Sequence, residues 1–337
     1  VKRSDLLPSA KTVKATTTKL PLETVHFSVN YQNPSNVVTV HTAHNCSACP
    51  AEWLRSYDKP AAGENVKIDF EKVGLISVGE MDIGKIGRVV VDANTGNLVE
   101  PETKFLHLTG EQNGGITGAH TWAIGLYTYN NMLSADANVD EITHVYWQSY
   151  GLRQDCLTQY IYDLYKDPKR SRTFTAEQML AYTKQGAQFV LQCVETADLT
   201  STDFYTFAEN QYFWSIQFVP NKTPKAGVPD AQNGCILTTV ITGSPMPNGE
   251  LTYSCEIWLF EATNLAQGPV CKLAHPDASF GFTIHSVWVP EADSVTLPPY
   301  VLPVKPDYDA MIAKMSNKDS LRDRTQTLFD QKVYPNF

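Results

Sequence analysis

Short apolar runs rich in β-branched residues, separated by turn-forming residues, recur along the chain. Clear examples of these runs occupy residues 37–41, 87–92 and 235–242. Asn, Pro and Gly lie between or beside them at residues 94–96, 233–234 and 247–249. β-branched side chains suit a pleated, half-buried surface, and such turns join antiparallel strands. The pattern therefore predicts an all-β fold of short strands, arranged as a sandwich, a barrel or a propeller.

A second pattern, with helical spacing, interrupts the strands between residues 151 and 186. Its apolar positions are Leu152, Cys156, Tyr160 and Leu164, which would form one stripe along a helix. Thr175 followed by Gln178 fits a capping box that opens a second helix. This segment predicts a helical insertion that covers a sheet edge. A charged stretch at 307–330 predicts further helix, so we divide the chain into a β portion, 1–304, and a C-terminal tail, 305–337.

Composition narrows the class of function. The chain has 337 residues, 42% of them hydrophobic, and a net charge of −9. This acidic balance argues against a nucleic-acid-binding surface, which needs basic patches to neutralise phosphates. The seven cysteines are odd in number and scattered, which is not typical of a disulfide framework. Because no apolar run reaches the length of a membrane span, we expect a cytoplasmic protein, either free or in peripheral contact with a membrane.

The most informative histidine is His285, which lies in an apolar strand near the chain's end. Aromatic and β-branched residues surround it within the segment 268–290. A neutral imidazole in such surroundings is either a hydrogen-bonded core residue or a ligand of a mid-transition metal. The choice between these two interpretations therefore depends on the sequence around His285.

That sequence resembles the C-terminal signature of the carotenoid cleavage oxygenase family. The resemblance consists of a strand at 255–265, a turn at Gly268 and Pro269, a second strand, and Phe280–Phe282 leading to His285. Three further segments resemble family elements in the right order. They are an Asp-x-x-Thr-Gly hairpin within 87–98, a Gly-rich aromatic strand at 118–127, and a Phe-Val-Pro element at 218–220 followed by 232–237.

The resemblance implies a seven-bladed β-propeller and an iron site made of four histidines. His285 corresponds to the last ligand. His41, at the end of an apolar strand and followed by Asn45 and Glu52, is the nearest counterpart of the third. His44 is the second choice for that ligand, because the family spacing from histidine to asparagine is not reproduced.

The carboxylates that hydrogen-bond the family's ligating histidines have only partial counterparts in this chain. Glu52 and Glu111 are the candidates, while Ser215 occupies a position where the family generally has Glu. Such carboxylates hold the second ring nitrogen of a ligating histidine. Their incomplete match points to a divergent subfamily, such as the fungal enzymes that cleave torulene or apocarotenoids.

The activity implied is that of a non-haem Fe(2+) dioxygenase. Dioxygen and an apolar polyene or stilbene-like substrate would react to give two carbonyl products. Two of the four histidines lack counterparts, because only His26 precedes His41, at a separation of 41 − 26 = 15 residues. We therefore expect an incomplete propeller that corresponds to the C-terminal part of a longer enzyme.

Two other readings stay open. His41, His44, Cys46 and Cys49 fall within nine positions and could form a structural zinc site, although zinc ligands are usually separated by a longer loop. A non-catalytic propeller that binds partners or apolar ligands is the second alternative. Nucleophile elbows and phosphate-binding glycine loops are not evident, which disfavours a hydrolase or a nucleotide-binding enzyme.

Overall fold

The structure of the chain is a computed structural model. The described residues are 6–9, 12–22, 24–30, 34–44, 54–63, 65–68, 73, 81–82, 84–106, 124–128, 142–149, 151, 153–167, 174–184, 186, 188–248, 251–276, 283, 286–289 and 303–336. The chain divides into two compact units, Val1–Trp288 and Val289–Phe337. The described strands lie in the first unit, and the described elements of the second unit are helical.

The described strands form three antiparallel sheets of four strands each. Sheet 1 contains β1 (Thr24–Val29), β2 (Val37–His44), β3 (Lys85–Asp92) and β4 (Lys104–Leu106). Sheet 2 contains β5 (Ile124–Thr128), β6 (His144–Ser149), β7 (Val190–Glu195) and β8 (Thr200–Thr206). Sheet 3 contains β9 (Gln211–Pro220), β10 (Gly234–Pro245), β11 (Leu251–Glu261) and β12 (Cys271–Leu273). Strands pair in chain order within each sheet, so the prediction of a mainly β fold is confirmed.

The three sheets follow one another in space as they do in sequence. The first strand of sheet 2, β5, lies against both β1 and β9, the first strands of its neighbours. Sheet 2 consequently has a neighbour on either side. Each sheet is a simple meander, because every strand pairs with the one that follows it.

Apolar clusters bury both faces of sheet 2. Alternation along β6 sends Val145 and Trp147 to one face and Tyr146 to the other, as the two-residue period of a strand requires. Val145 and Trp147 join a cluster with Ala43 and Ile86 of sheet 1. The opposite face packs against sheet 3 through an aromatic cluster that includes Tyr146, Phe207, Phe213, Phe218, Trp258 and Phe260.

The hairpin predicted after β3 is built by one aspartate. Asp92 Oδ1 accepts hydrogen bonds from the backbone N–H groups of Asn94 and Thr95, both at 2.8 Å. These bonds lower the pKa of Asp92. Gly96 has a φ of +75°, a conformation that glycine adopts without a steric penalty. The chain then returns antiparallel to β3, with Leu98 bridged to Val91.

The helical insertion is present, but its buried face differs from the predicted stripe. It contains α1 (Gln159–Tyr165) and α2 (Ala176–Tyr182). The Thr158 side chain accepts from the Ile161 N–H and starts α1, so the predicted position Cys156 lies before the helix. Ile161 and Tyr165 are the buried residues of α1, and they pack with Met81. The predicted Tyr160 and Leu164 are exposed.

The capping box predicted for α2 is confirmed. Thr175 accepts from the Gln178 N–H, and the Gln178 side chain accepts from the Thr175 N–H. Both free N–H groups are thereby satisfied at the start of the helix.

The second compact unit contains the helices predicted in the charged tail. They are α3 (Val304–Ala313) and α4 (Leu321–Leu328). Asp309 of α3 accepts hydrogen bonds from Gln326 of α4 at 2.8 Å and from the Tyr334 hydroxyl at 2.7 Å. The described helices of the chain are short, and none has an apolar stretch of the length that a bilayer crossing requires.

The register of α1 yields a direct prediction. Ile161 is 1% exposed and Leu164 is 42% exposed. Ile161→Ala should lower the free energy of unfolding by about 2–5 kcal/mol, because it leaves a cavity in the core. Leu164→Ala should cost less than about 1 kcal/mol, since much of its side chain stays in water. Urea denaturation of the two variants measures the difference, and equal losses would contradict this register.

Candidate metal-binding site

His41 is a buried residue in the centre of sheet 1. It lies on β2, opposite Ser28 of β1 and Arg88 of β3. Its exposed fraction is 2%. His41 and Ala43 share a face of β2 because they are two positions apart. Ala43 belongs to the cluster between sheets 1 and 2, so His41 faces sheet 2.

The hydrogen bond to Asn30 determines which ring nitrogen of His41 carries a proton. His41 Nε2 lies 3.0 Å from Asn30 Oδ1. The same oxygen accepts the backbone N–H of Ile142 at 3.2 Å. A carboxamide oxygen can only accept, so Nε2 must carry the proton. In the neutral ring, Nδ1 therefore keeps a lone pair, and this buried atom has no hydrogen-bond partner in the described structure.

Burial keeps the His41 ring uncharged. Desolvation lowers the pKa of His41 from its ordinary value of 6.5 to about 4, and the positive charge of Arg88 adds to this effect. The Arg88 guanidinium donates to the backbone oxygens of Thr196 at 3.3 Å and Ala197 at 2.8 Å, in the turn between β7 and β8. The result is a neutral imidazole with an unused nitrogen, which is the form of histidine that binds metal ions.

His44 lies in a different environment. It is three positions from His41, so the alternation of a strand sends the two side chains to opposite faces. His44 Nε2 is hydrogen-bonded to Asp82 Oδ2 at 3.0 Å, and both residues are buried. Asp82 Oδ1 also accepts the Phe174 N–H at 3.1 Å, just before α2. His44 therefore connects sheet 1 to the helical insertion.

These opposite directions bear on the zinc alternative. A tetrahedral site would have to draw His41 and His44 to one ion, yet β2 presents them on its two faces. The other proposed ligands, Cys46 and Cys49, lie outside the described residues. Within the described part of the chain, no cluster of three or more His, Cys, Asp or Glu side chains is placed to hold a metal ion.

Three predicted site residues, His285, Glu52 and Glu111, lie outside the described residues. Both flanks of His285 are nevertheless anchored on β9. Ser215 Oγ donates to the Thr283 carbonyl at 2.7 Å, and Ser286 Oγ donates to the Ser215 carbonyl at 2.9 Å. These bonds tie Thr283 and Ser286 to the middle of sheet 3.

Ser215 occupies a bulge in β9. Its φ is +54°, and Ser215 and Ile216 together lie opposite Thr238, because the register shifts between Leu237 and Thr239. An extra residue in one strand of a pair is a β-bulge, which re-aims side chains locally. Ser215, which the resemblance aligns with a Glu, thus anchors Thr283 and Ser286 on β9.

Comparison with known proteins gives no support for any family: no family model and no curated protein matches the sequence. The resemblance to carotenoid cleavage oxygenases therefore depends on the motifs alone.

The residues that define the surroundings of His41 and His44 were not predicted from the sequence. Asn30 and Asp82 are single polar residues in segments with no distinctive spacing. Arg88 gives a weak signal, as the one charged residue in the run Ile86–Val91. Its position directly across from His41 depends on the register of β2 and β3, which the sequence does not reveal.

The pKa of His41 predicts how stability depends on pH. The unfolded chain protonates this ring below about pH 6.5, while the folded chain keeps it neutral down to about pH 4. Between these values the unfolded state binds more protons, so stability decreases as the pH falls. The full effect is about 3 kcal/mol, since one pKa unit corresponds to about 1.4 kcal/mol.

Denaturant unfolding at pH 7 and pH 4.5 measures this contribution. The wild type should lose about 2–3 kcal/mol more than His41→Gln over this interval. His275 is exposed, so the control His275→Gln should behave like the wild type. A His41→Gln variant with the wild-type pH dependence would show that the His41 ring does not stay neutral in the fold.

Proposed function

We propose that this protein is a non-haem Fe(II) dioxygenase that cleaves a C=C bond of a carotenoid, apocarotenoid or stilbene-like substrate. The observation that carries the proposal is the His41 ring, which is buried, uncharged and left with one unused nitrogen. The family motifs around His285 supply the substrate class.

The arrangement of the sheets supports a propeller. Successive blades of a propeller are four-stranded antiparallel sheets around a central channel. The three described sheets are meanders in chain order, and their first strands β1, β5 and β9 lie side by side. We therefore assign sheets 1, 2 and 3 as consecutive blades, with β1, β5 and β9 nearest the axis.

The residues at His41 fit a ferrous ion. Neutral imidazole is a common ligand for iron, and ligating histidines usually donate their other N–H to a protein oxygen. Asn30 Oδ1 is that acceptor here, at 3.0 Å from Nε2. His41 and His285 are the proposed ligands.

The chain's own residues would prepare this site in three ways. Asn30 holds the Nε2 proton, so Nδ1 of His41 is the nitrogen presented to the ion. Burial between sheets 1 and 2 keeps the ring neutral and dry. Ser215 fixes the backbone on both sides of His285. Ferrous iron, when bound, supplies the redox chemistry that places one oxygen atom on each carbon of the cleaved bond.

Iron content and turnover test the proposal together. The purified full-length product that contains this chain, loaded with Fe(II) under anaerobic conditions, should retain iron and convert apocarotenoid or stilbene substrates into two carbonyl products under oxygen. His41→Ala and His285→Ala should each lower iron per chain by about tenfold or more and abolish turnover. His275→Ala, a substitution at an exposed histidine, is the matched control.

Iron content and turnover together distinguish the dioxygenase from the alternative, a non-catalytic propeller. Apolar ligand binding without iron or turnover would favour a non-catalytic propeller. Wild-type iron content in His41→Ala would remove this residue from the site.

A further inference from the structure

A loop between β2 and β3 packs against the start of the helical insertion. Its described residues are 54–63 and 65–68. Leu54 and Ile68, at the two ends of the loop, pack into the aromatic cluster between sheets 2 and 3. In its middle, the Lys59 carbonyl accepts the N–H of Gln159, the first residue of α1, at 2.6 Å. The core therefore holds the ends of the loop, and α1 holds its middle.

Three successive turns shape the backbone of this loop. The Asp58 N–H donates to the Arg55 carbonyl at 3.0 Å. The Gly63 N–H donates to the Pro60 carbonyl at 3.1 Å, and the Val66 N–H donates to the Gly63 carbonyl at 3.1 Å. Gly63 has a φ of +101°, which glycine adopts without a steric penalty. These bonds give the loop a compact form, and compact surface loops of this length are frequently functional.

The loop and the first residue of α1 border a cleft of about 550 Å³. Small-molecule binding sites generally measure about 300–1,000 Å³. Pro60, Val66 and Ile68 line one part of the cleft, which we call the apolar wall. All three residues are half-buried. The cleft therefore has room for a small organic molecule and offers it an apolar contact surface.

Two lysines line the same cleft without a counter-ion in the described structure. Lys59 and Lys67 are exposed, and neither ammonium group forms an ion pair with a residue that the structure describes. Asp58 supplies the carboxylate of the described lining, and its Oδ2 accepts the Arg55 N–H at 2.9 Å. Glu64 of the same loop lies outside the described residues. The described lining thus carries two positive charges and one negative charge, in a chain whose net charge is −9.

Neither feature of the cleft is sufficient alone to select a ligand. Water and salt screen exposed ammonium groups, so a small inorganic anion would bind them weakly. An apolar wall attracts any apolar molecule, because hydrophobic contact is non-directional. A molecule that carries one carboxylate on an apolar body uses both features at once.

We propose that this cleft binds such an apolar carboxylate. The ammonium groups of Lys59 and Lys67 donate hydrogen bonds to the carboxylate oxygens, which can only accept. The apolar wall contacts the body of the ligand. None of the residues that line the cleft bonds to the His41 ring, so binding here does not depend on the proposed iron site.

Decanoate is the probe, with decanol and inorganic phosphate as its two comparisons. Titration calorimetry of the full chain at low ionic strength measures the three affinities. We expect decanoate to bind at a single site. Its Kd should be about tenfold lower than that of decanol, which lacks the charge, and about tenfold lower than that of phosphate, which lacks the apolar body.

Substitutions in the cleft should separate the two contributions. Lys59→Ala and Lys67→Ala should each weaken decanoate binding by about threefold and leave decanol binding unchanged. Val66→Ser should weaken decanoate and decanol to a similar extent, because it changes the apolar wall. The matched control is Lys222→Ala, at an exposed lysine outside the cleft, which should leave all three affinities unchanged. Thermal unfolding verifies that each variant is folded.

Several results would overturn the site. Equal affinities for decanoate and decanol would exclude a role for the lysines, and phosphate binding as tight as that of decanoate would exclude the apolar wall. Decanoate affinity that is unchanged in both lysine variants would place the ligand elsewhere. No detectable decanoate binding by the folded wild type would refute the proposed ligand class. The wild-type titrations are decisive even if a variant does not fold.

Discussion

A single buried oxygen connects three segments of this protein. Asn30 Oδ1 accepts one hydrogen bond from His41 on β2 and another from the backbone of Ile142, which leads into sheet 2. Satisfying buried polar groups is obligatory because an unmade hydrogen bond in the core costs about 1–3 kcal/mol. Asn30 thus fixes the tautomer of His41 and the approach of sheet 2 to sheet 1 at once. The unprotonated, unpartnered Nδ1 of the ring is a consequence of how the two sheets are joined.

Polar bonds of this kind recur where sheet 2 meets its neighbours. Arg88 of sheet 1 reaches two carbonyls in the β7–β8 turn, and the Tyr146 hydroxyl donates to the Ala262 carbonyl beside sheet 3 at 2.8 Å. Apolar clusters alone would let the sheets slide, because dispersion and hydrophobic burial have little directionality. Directional bonds at each interface set the register between sheets, and therefore the position of any side chain that lies between them.

The sequence predicted local structure better than it predicted contacts between residues far apart in the chain. The mainly β fold, the Asp92 turn and the Thr175 capping box follow from rules that act within a few residues, and all are present. The buried face of α1 was predicted wrongly because the spacing ran through Cys156, whereas Thr158 starts the helix later. The sequence could not show that Asn30 bonds His41 or that Asp82 bonds His44. Those contacts depend on strand register and on a helical insertion far along the chain. Whether His41 approaches His285 stays a prediction.

Strand alternation explains why two histidines so close in sequence can have separate roles. His44 is engaged by Asp82 on the face that meets the insertion, while His41 faces sheet 2. His26 and His41 are 15 residues apart in the sequence. The β1–β2 hairpin folds the chain back on itself and brings residues 26 and 41 to one face of sheet 1. Register, rather than sequence spacing, decides which side chains share a face of the sheet.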